Sequence, residues 1–412
     1  MNGLYVHVPF CVSKCAYCDF YSLANRLDLV PAYVDAVLKE AQAHAGLSFE
    51  TLYLGGGTPS LLGVGNLRRL VEGLRRAFDL SALVEATIEV NPESASEELL
   101  RSAMDLGFNR VSVGVQSLSD HELRSVGRVH TAAQAVEAVS RAVGMGFKDV
   151  STDIIVGLPG QTLNGVSHPH PDPLPSRERV DPPSPGGRDV EGGGIDARRG
   201  ESSPTGFVGP LTWTLERLIS LGVNHLSVYC LSLEHGTPLA MNPPDDLPSD
   251  DEQAGLFEEA RCVLEERGFI HYEISNFCLP GRECRHNLNY WRGGEYLGLG
   301  PAAASHLGGR RWKNRADLPA YLRSPSGVVD EVEELGLKEK AAEEAMLRLR
   351  LLVEGLAADE MVRRFSEDGT QELFSRLNGL ASQGLLTCDA SVYRLARSQV
   401  LMSNPIFSKV LG

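Results

Sequence analysis

Six short runs rich in β-branched residues alternate with stretches whose apolar residues recur at helical spacing, and this rhythm limits the chain to few folds. The runs are LYVHV (4–8), TLYLGG (51–56), ATIEV (86–90), RVSVGV (110–115), VSTDIIVGL (150–158) and HLSVYCL (225–231). Between them lie PAYVDAVLKEAQAHA (31–45), NLRRLVEGLRRAF (66–78), SEELLRSAMDLG (96–107) and AAQAVEAVSRAVGMG (132–146). Strands alternating with helices imply a parallel sheet. Six such units predict a partial (β/α)6 barrel of TIM type rather than a closed eight-fold one. In a parallel barrel the reactive groups gather at the C-terminal ends of the strands.

Two regions depart from the rhythm. Residues 167–209 are dense in Pro, Gly, Ser and charge, with one aromatic, Phe207. Such a segment buries too little apolar surface to offset its ordering entropy, so it reads as a disordered insertion after the fifth strand. His168 and His170 within it could bind a metal, but the interleaved prolines favour a solvated loop. From about residue 330 helical patterns take over at 343–356, 358–365 and 371–386, with a pair of strands over 388–395. The reading is a core over 1–235, an extension over 236–330 that completes it, and a smaller helical or winged-helix-like domain over 331–412.

Charge and length exclude several classes. A net charge of −15 on 412 residues argues against a dedicated nucleic-acid binder. There is no apolar run of the length that crosses a bilayer. The start, MNGLYVHVPFCVSKC, lacks a basic stretch followed by a long apolar one, so a cytoplasmic protein is expected. Eight cysteines are too few for a disulfide scaffold, and three of them crowd into residues 11–18.

Those three, Cys11, Cys15 and Cys18, form C-x3-C-x2-C. Thiolates ligate iron–sulfur clusters, and a four-iron cubane normally takes four. Three leave one iron open to a cofactor. A zinc site of three cysteines with His7 is the alternative from spacing alone. The strand ends carry further signals. Gly55-Gly56-Gly57-Thr58-Pro59-Ser60 lets backbone approach a ligand. Glu89 could accept hydrogen bonds from a ribose hydroxyl pair, or lie in a solvated loop. Gln116 ends the fourth strand, and Arg128 beyond it could pair with a carboxylate. Asp153 sits in an otherwise apolar strand, which costs energy without a partner and favours a site.

In order and spacing these motifs resemble the radical S-adenosylmethionine (SAM) superfamily, and within it the coproporphyrinogen-oxidase-like group. The resemblance implies a [4Fe–4S] cluster on Cys11, Cys15 and Cys18, with SAM chelating the fourth iron and an electron donor such as flavodoxin or ferredoxin. It matches Tyr5, Gly56 and Glu89 to ligands of the cluster-bound SAM. Tyr17, Gly57, Thr58, Gln116, Arg128 and Asp153 match positions that hold a second SAM in the oxidase.

Further on, Arg285-His286-Asn287-Leu288-Asn289-Tyr290-Trp291 is similar to a string linked to haem in the haem-chaperone (HemW-type) branch. That resemblance makes His286, Asn287, Tyr290 and Trp291 candidate haem residues, though a core histidine is the better reading of His286 alone. The oxidase motif continues to a fourth cysteine where this chain has Phe20, and the oxidase carries a long N-terminal extension where only four residues precede Tyr5. Both differences match the chaperone branch. The resemblance therefore implies a protein that binds haem or a porphyrin and delivers haem to acceptor haemoproteins, respiratory ones among them. Radical decarboxylation of coproporphyrinogen III is the enzymatic alternative, and tRNA modification, which lacks a basic RNA-binding domain here, is a third. A homodimer and a peripheral membrane contact through the acceptors stay open.

Overall fold

The computed structural model describes residues 1–163, 209–325, 329–333 and 335–412. The insertion expected over 167–209, with His168 and His170, lies outside the described residues apart from Gly209.

All six expected strands form. β1 (Asn2–Val8), β2 (Thr51–Gly56), β3 (Glu85–Val90), β4 (Arg110–Gln116), β5 (Asp149–Val156) and β6 (His225–Cys230) pair in parallel in that order. After them come β7 (Ile270–Glu273), β8 (Asn276–Cys278), β9 (Glu295–Leu299), β10 (Ala304–Leu307), β11 (Arg310–Asn314) and β12 (Val329–Glu333). β9 adds a seventh parallel strand on the outer side of β1. The sheet runs β12-β11-β10-β9-β1-β2-β3-β4-β5-β6-β8-β7, and the outer strands at both ends are antiparallel. Its two ends do not pair among the described residues, so the barrel is partial.

Parallel strands covered on both faces must be apolar almost throughout. Leu4, Val6, Leu54, Ile88, Val111 and Val113 are accordingly fully buried. The helices α1 (Val30–Ala43), α2 (Gly63–Ala77), α3 (Glu97–Asp105), α4 (Ala132–Met145), α5 (Pro210–Ser220) and α6 (Asp250–Glu266) supply the cover. On α2, Leu67, Leu70, Val71 and Leu74 fall at i, i+3, i+4 and i+7 and are buried, while Arg68, Arg75 and Arg76 are exposed. Each of those four contributes about 2 kcal/mol by leaving water. Thr131 and Gln134 close a capping box at the start of α4, and Gly146 ends it at φ +90°.

The short α7 (Arg285–Trp291) carries the HNLNYW string. Glu85 of β3 accepts from the backbone N–H groups of Arg285 and His286, both at 2.9 Å. A buried carboxylate therefore caps this helix from across the sheet.

The C-terminal part differs in detail from expectation. The helix expected over 343–356 is α8 (Leu337–Arg348), and the chain then turns through Gly355 at φ +71°. The two helices expected at 358–365 and 371–386 are both present within the span α9 (Ala358–Ser382), meeting at a kink at Ser366, where φ is +63°. β13 (Leu356–Ala357), β14 (Leu386–Asp389) and β15 (Val392–Leu395) make a small separate sheet, and α10 (Ser403–Leu411) closes the chain. The β14–β15 hairpin turns on Ala390 and Ser391, both at positive φ. Because this sheet pairs only within itself while β12 still belongs to the large one, we propose the C-terminal domain boundary just past β12, a few residues beyond the expected 331. Among the described residues no helix is long and apolar enough to cross a membrane.

Candidate functional site

The loop after β1 is pinned at several points. Ala16 N–H donates to Val126 O at 3.0 Å, Leu239 N–H to Ala16 O at 2.9 Å, and Leu23 N–H to Pro9 O at 2.8 Å. These bonds fix the backbone that carries Cys11, Cys15 and Cys18. All three are half-buried free thiols lining one cavity of about 350 Å³ at the C-terminal ends of the parallel strands.

The GGGTPS segment clamps onto this loop. Gly57 N–H donates to Val8 O at 2.8 Å and Thr58 N–H to Phe10 O at 2.7 Å. A Cβ on Gly57 would come within 2.7 Å of both Val8 O and Phe10 O, so glycine is required for the approach. The Thr58 hydroxyl donates to Cys11 Sγ at 3.7 Å and accepts from Asn91 Nδ2 at 2.9 Å.

Glu89 lies in the cavity wall, accepting from Tyr53 OH at 2.6 Å and Gly56 N–H at 3.1 Å. Burial, aided by the nearby Asp153 carboxylate, pushes it up to about 7 against those two bonds. Burial also raises Asp153, opposed by the Ser227 and Ser112 hydroxyls. The Ser112 hydroxyl reaches Asp153 at 3.3 Å. Arg128 spans the site, donating to Gly114 O at 2.7 Å, Asn91 Oδ1 at 2.8 Å and Cys15 Sγ at 3.6 Å. Its Nε is buried without a hydrogen-bond partner. Gln116 holds φ +66° at the end of β4, a conformation that costs a non-glycine residue about 1 kcal/mol.

Cys11, Cys15, Cys18, Tyr17, Gly56, Gly57, Glu89, Gln116, Arg128 and Asp153 thus border one cavity. Thr58 sits behind its wall, touching Cys11. Tyr5 does not border it. It lines a second cavity of about 770 Å³ instead, together with Tyr290 and Trp291. Asp19 and Phe20, directly after the third cysteine, border both cavities. Sequence reasoning missed Asn91, Ser112, Tyr229 and Cys230 in the first cavity. Asn91, Tyr229 and Cys230 stand at or just beyond strand ends, the signal that found Glu89.

The HNLNYW string divides. Tyr290 and Trp291 reach the second cavity, but His286 is 1 % exposed and borders neither. Its Nδ1 lies 2.8 Å from Thr51 Oγ1 and its Nε2 2.7 Å from Tyr290 OH. It stacks on Tyr53 at 5.1 Å, and burial pushes it down to about 3. The structure therefore does not present His286 as an open axial ligand. Asn287 is half-buried on the same helix and lines neither cavity.

A family model described as Radical SAM superfamily matches residues 5–168. The chain is 32% identical over 412 residues to the heme chaperone HemW of Mycobacterium tuberculosis, covering 95% of this chain and 94% of that relative. The chain belongs to the radical SAM superfamily, in its HemW-type branch. Heme chaperone HemW of Lactococcus lactis subsp. lactis is 30% identical, covering 100% of this chain and 97% of its own. Among solved structures, a coproporphyrinogen III oxidase (HemN) from Escherichia coli superposes with a TM-score of 0.78 at 22% identity, over 99% of this chain and 89% of that one, a likeness of fold.

Membership of the radical SAM superfamily implies a [4Fe–4S] cluster and SAM. The cavity's residues fit both groups. Three free thiols share one wall, and Arg128 and Thr58 already direct hydrogen bonds at two of them. His7, the fourth ligand of the zinc alternative, has both ring nitrogens engaged, by Tyr5 OH at 3.0 Å and Tyr21 O at 2.8 Å. The radical SAM reading needs no such ligand.

Proposed function

We propose that this radical SAM chain is a haem chaperone that binds haem and passes it to acceptor haemoproteins. The observation that carries the reading is the match to heme chaperone HemW along 95% of this chain and 94% of the relative. In this reading Cys11, Cys15 and Cys18 hold the cluster. Gly56, Gly57, Glu89, Gln116 and Asp153 line the space for SAM. When bound, cluster and SAM supply one-electron cleavage of the sulfonium, with the electron drawn from a flavodoxin- or ferredoxin-like donor.

The chain's own residues prepare that site. Arg128 directs a guanidinium N–H at Cys15 Sγ from 3.6 Å, which fixes that sulfur's place in the cavity wall. Glu89, fixed by Tyr53 and Gly56, offers an acceptor at the wall where a nucleoside's hydroxyls would lie. Gly55 and Gly56 lack the Cβ atoms that would strike Glu89 and His7, so backbone forms the floor there.

The oxidase reading rests on likeness of fold. Against it stands Phe20, whose ring is 62 % exposed at the wall common to both cavities. Phenylalanine offers no thiolate where the oxidase motif has its fourth cysteine. The test is anaerobic reconstitution of the cluster, followed by titration with haem and, separately, incubation with coproporphyrinogen III, SAM and reductant. Stoichiometric haem binding without a vinyl product supports the chaperone. Protoporphyrinogen and released carbon dioxide would replace it with the oxidase.

A further inference from the structure

We infer that the second cavity is the haem seat and that His306 of β10 ligates the iron, while His286 of the HNLNYW string is a positioning residue. The inference rests on the chaperone reading and adds to it a place and a ligand.

The cavity suits a flat, conjugated, dianionic molecule. Its volume of about 770 Å³ falls within the range of about 300–1,000 Å³ usual for ligand sites. Its walls include Tyr290, Trp291, Tyr296 and Met346, soft and aromatic surfaces that stack on a macrocycle. Tyr290 and Tyr296 pack edge to face at 4.5 Å, and Arg350 lies 5.0 Å over the Trp291 ring. The aromatic side of the site is thus braced before any ligand arrives. Lys313 is exposed at the rim, where a carboxylate side chain of the ligand would meet it.

Two histidines line this cavity, and only one can ligate. His7 is bonded through both nitrogens, to Tyr5 and Tyr21. His306 is half-buried, and its Nδ1 lies 3.3 Å from the carbonyl oxygen of Gly294. That contact assigns the proton to Nδ1, since a carbonyl only accepts. In the neutral ring Nε2 then carries the lone pair a metal needs, and no hydrogen bond to it is found among the described residues. Gly294 itself borders the cavity. An imidazole whose inner nitrogen is held by a backbone carbonyl is the arrangement metal-bound histidines adopt.

His286 completes the account by a different route. Its Nε2 meets the Tyr290 hydroxyl at 2.7 Å, one helical turn away on α7, and its Nδ1 is anchored on Thr51 of β2. The ring therefore ties the cavity's tyrosine to the core sheet. Asp19 and Phe20 border this cavity as well as the cysteine cavity, so the seat adjoins the cluster loop across a single exposed ring.

The test is titration of the reconstituted full chain with ferric haem and, in parallel, iron-free protoporphyrin IX, followed in the Soret band. His306→Ala should weaken haem at least tenfold and shift its Soret maximum. Added imidazole should restore the wild-type spectrum, while protoporphyrin IX affinity changes less than threefold. Lys313→Glu, at an exposed position that threatens no fold, should weaken haem and protoporphyrin alike. His286→Ala should keep the wild-type Soret maximum in its folded fraction. If wild-type protein binds no haem, the chaperone reading itself falls. If it binds haem and His306→Ala retains both affinity and spectrum, the ligand assignment falls alone. If Lys313→Glu leaves both affinities unchanged, the seat is elsewhere.

Discussion

Replacing His286 by alanine separates a structural role from a ligand role, and the structure sets the size of the effect. The imidazole is 1 % exposed, in contact range of Gly3, stacked on Tyr53 and edge-on to Tyr290 at 4.8 Å. Its loss strands the Thr51 and Tyr290 hydroxyls, and each unsatisfied buried partner costs about 1–3 kcal/mol. The cavity left by the ring adds to this, as in other large-to-small changes, for a total of about 3–5 kcal/mol. That is a large part of the roughly 5–15 kcal/mol that holds a domain together. Urea unfolding at pH 8, read by circular dichroism, should show a lower midpoint at unchanged slope. The difference from wild type should also shrink in acid. Burial lowers His286 from its ordinary 6.5 to about 3, so between those values the unfolded chain binds a proton that the folded chain does not. Wild-type stability from this group is therefore complete above about pH 6.5 and falls as pH drops toward 3. The slope is at most about 1.4 kcal/mol per pH unit. The alanine variant lacks that slope. A variant that unfolds at the wild-type midpoint yet has lost the haem Soret band would refute this reasoning and make His286 the ligand.

Four further outcomes follow from the same geometry. Arg128→Ala should lower iron and sulfide content after reconstitution at least twofold. Arg128→Lys should not restore it, because one ammonium cannot reach Asn91, Gly114 and Cys15 together. SAM binding measured by calorimetry should weaken as pH falls below about 7, where Glu89 gains a proton, and Glu89→Gln should flatten that dependence. Phe20→Ala should change stability by no more than about 0.5 kcal/mol, since the ring is largely exposed, yet weaken haem binding by opening the shared wall. Replacing residues 164–208 by a short Gly-Ser linker should leave the roughly 400 nm cluster absorbance intact. Leu163 packs on Gly255 and Gly209 lies against Glu259, one turn apart on α6, so the two ends are within a few residues' reach. Loss of that absorbance in the deletion would count against the replaced segment being dispensable.

The parallel core was legible because its strands are buried on both faces and read as continuous β-branched runs. β9 escaped notice for a physical reason. EYLGLG is short and glycine-rich, and a Cβ on Gly298 would come within 2.1 Å of the Ala304 carbonyl oxygen, so packing rather than propensity chose its residues. The two helices expected on either side of residue 366 are there, meeting at a kink where Ser366 holds φ +63°. Most of the first cavity could be assembled from strand ends alone. Tyr5 shares the sheet face of Tyr53 and Glu89, yet its ring lines the second cavity, because strand position tells depth along β1 but not which neighbouring cavity a ring enters. Asn91 stood beside Glu89 in the sequence, but its bond to Arg128 is a long-range fact.

The HNLNYW string shows how one motif can send some members to a cavity wall and another into the core. On a helix, residues i and i+4 share a face, so His286 and Tyr290 are bound to meet. Glu85 caps the helix N-terminus from β3, which drives His286 into the sheet and leaves Tyr290 and Trp291 on the cavity side. Another element brings an imidazole to the cavity: β10, the antiparallel neighbour of β9, places His306 opposite Tyr296 in register, where the proposal above puts the iron ligand. The family string thus marks the aromatic wall of the seat, while a strand pairing invisible to sequence periodicity brings up the imidazole.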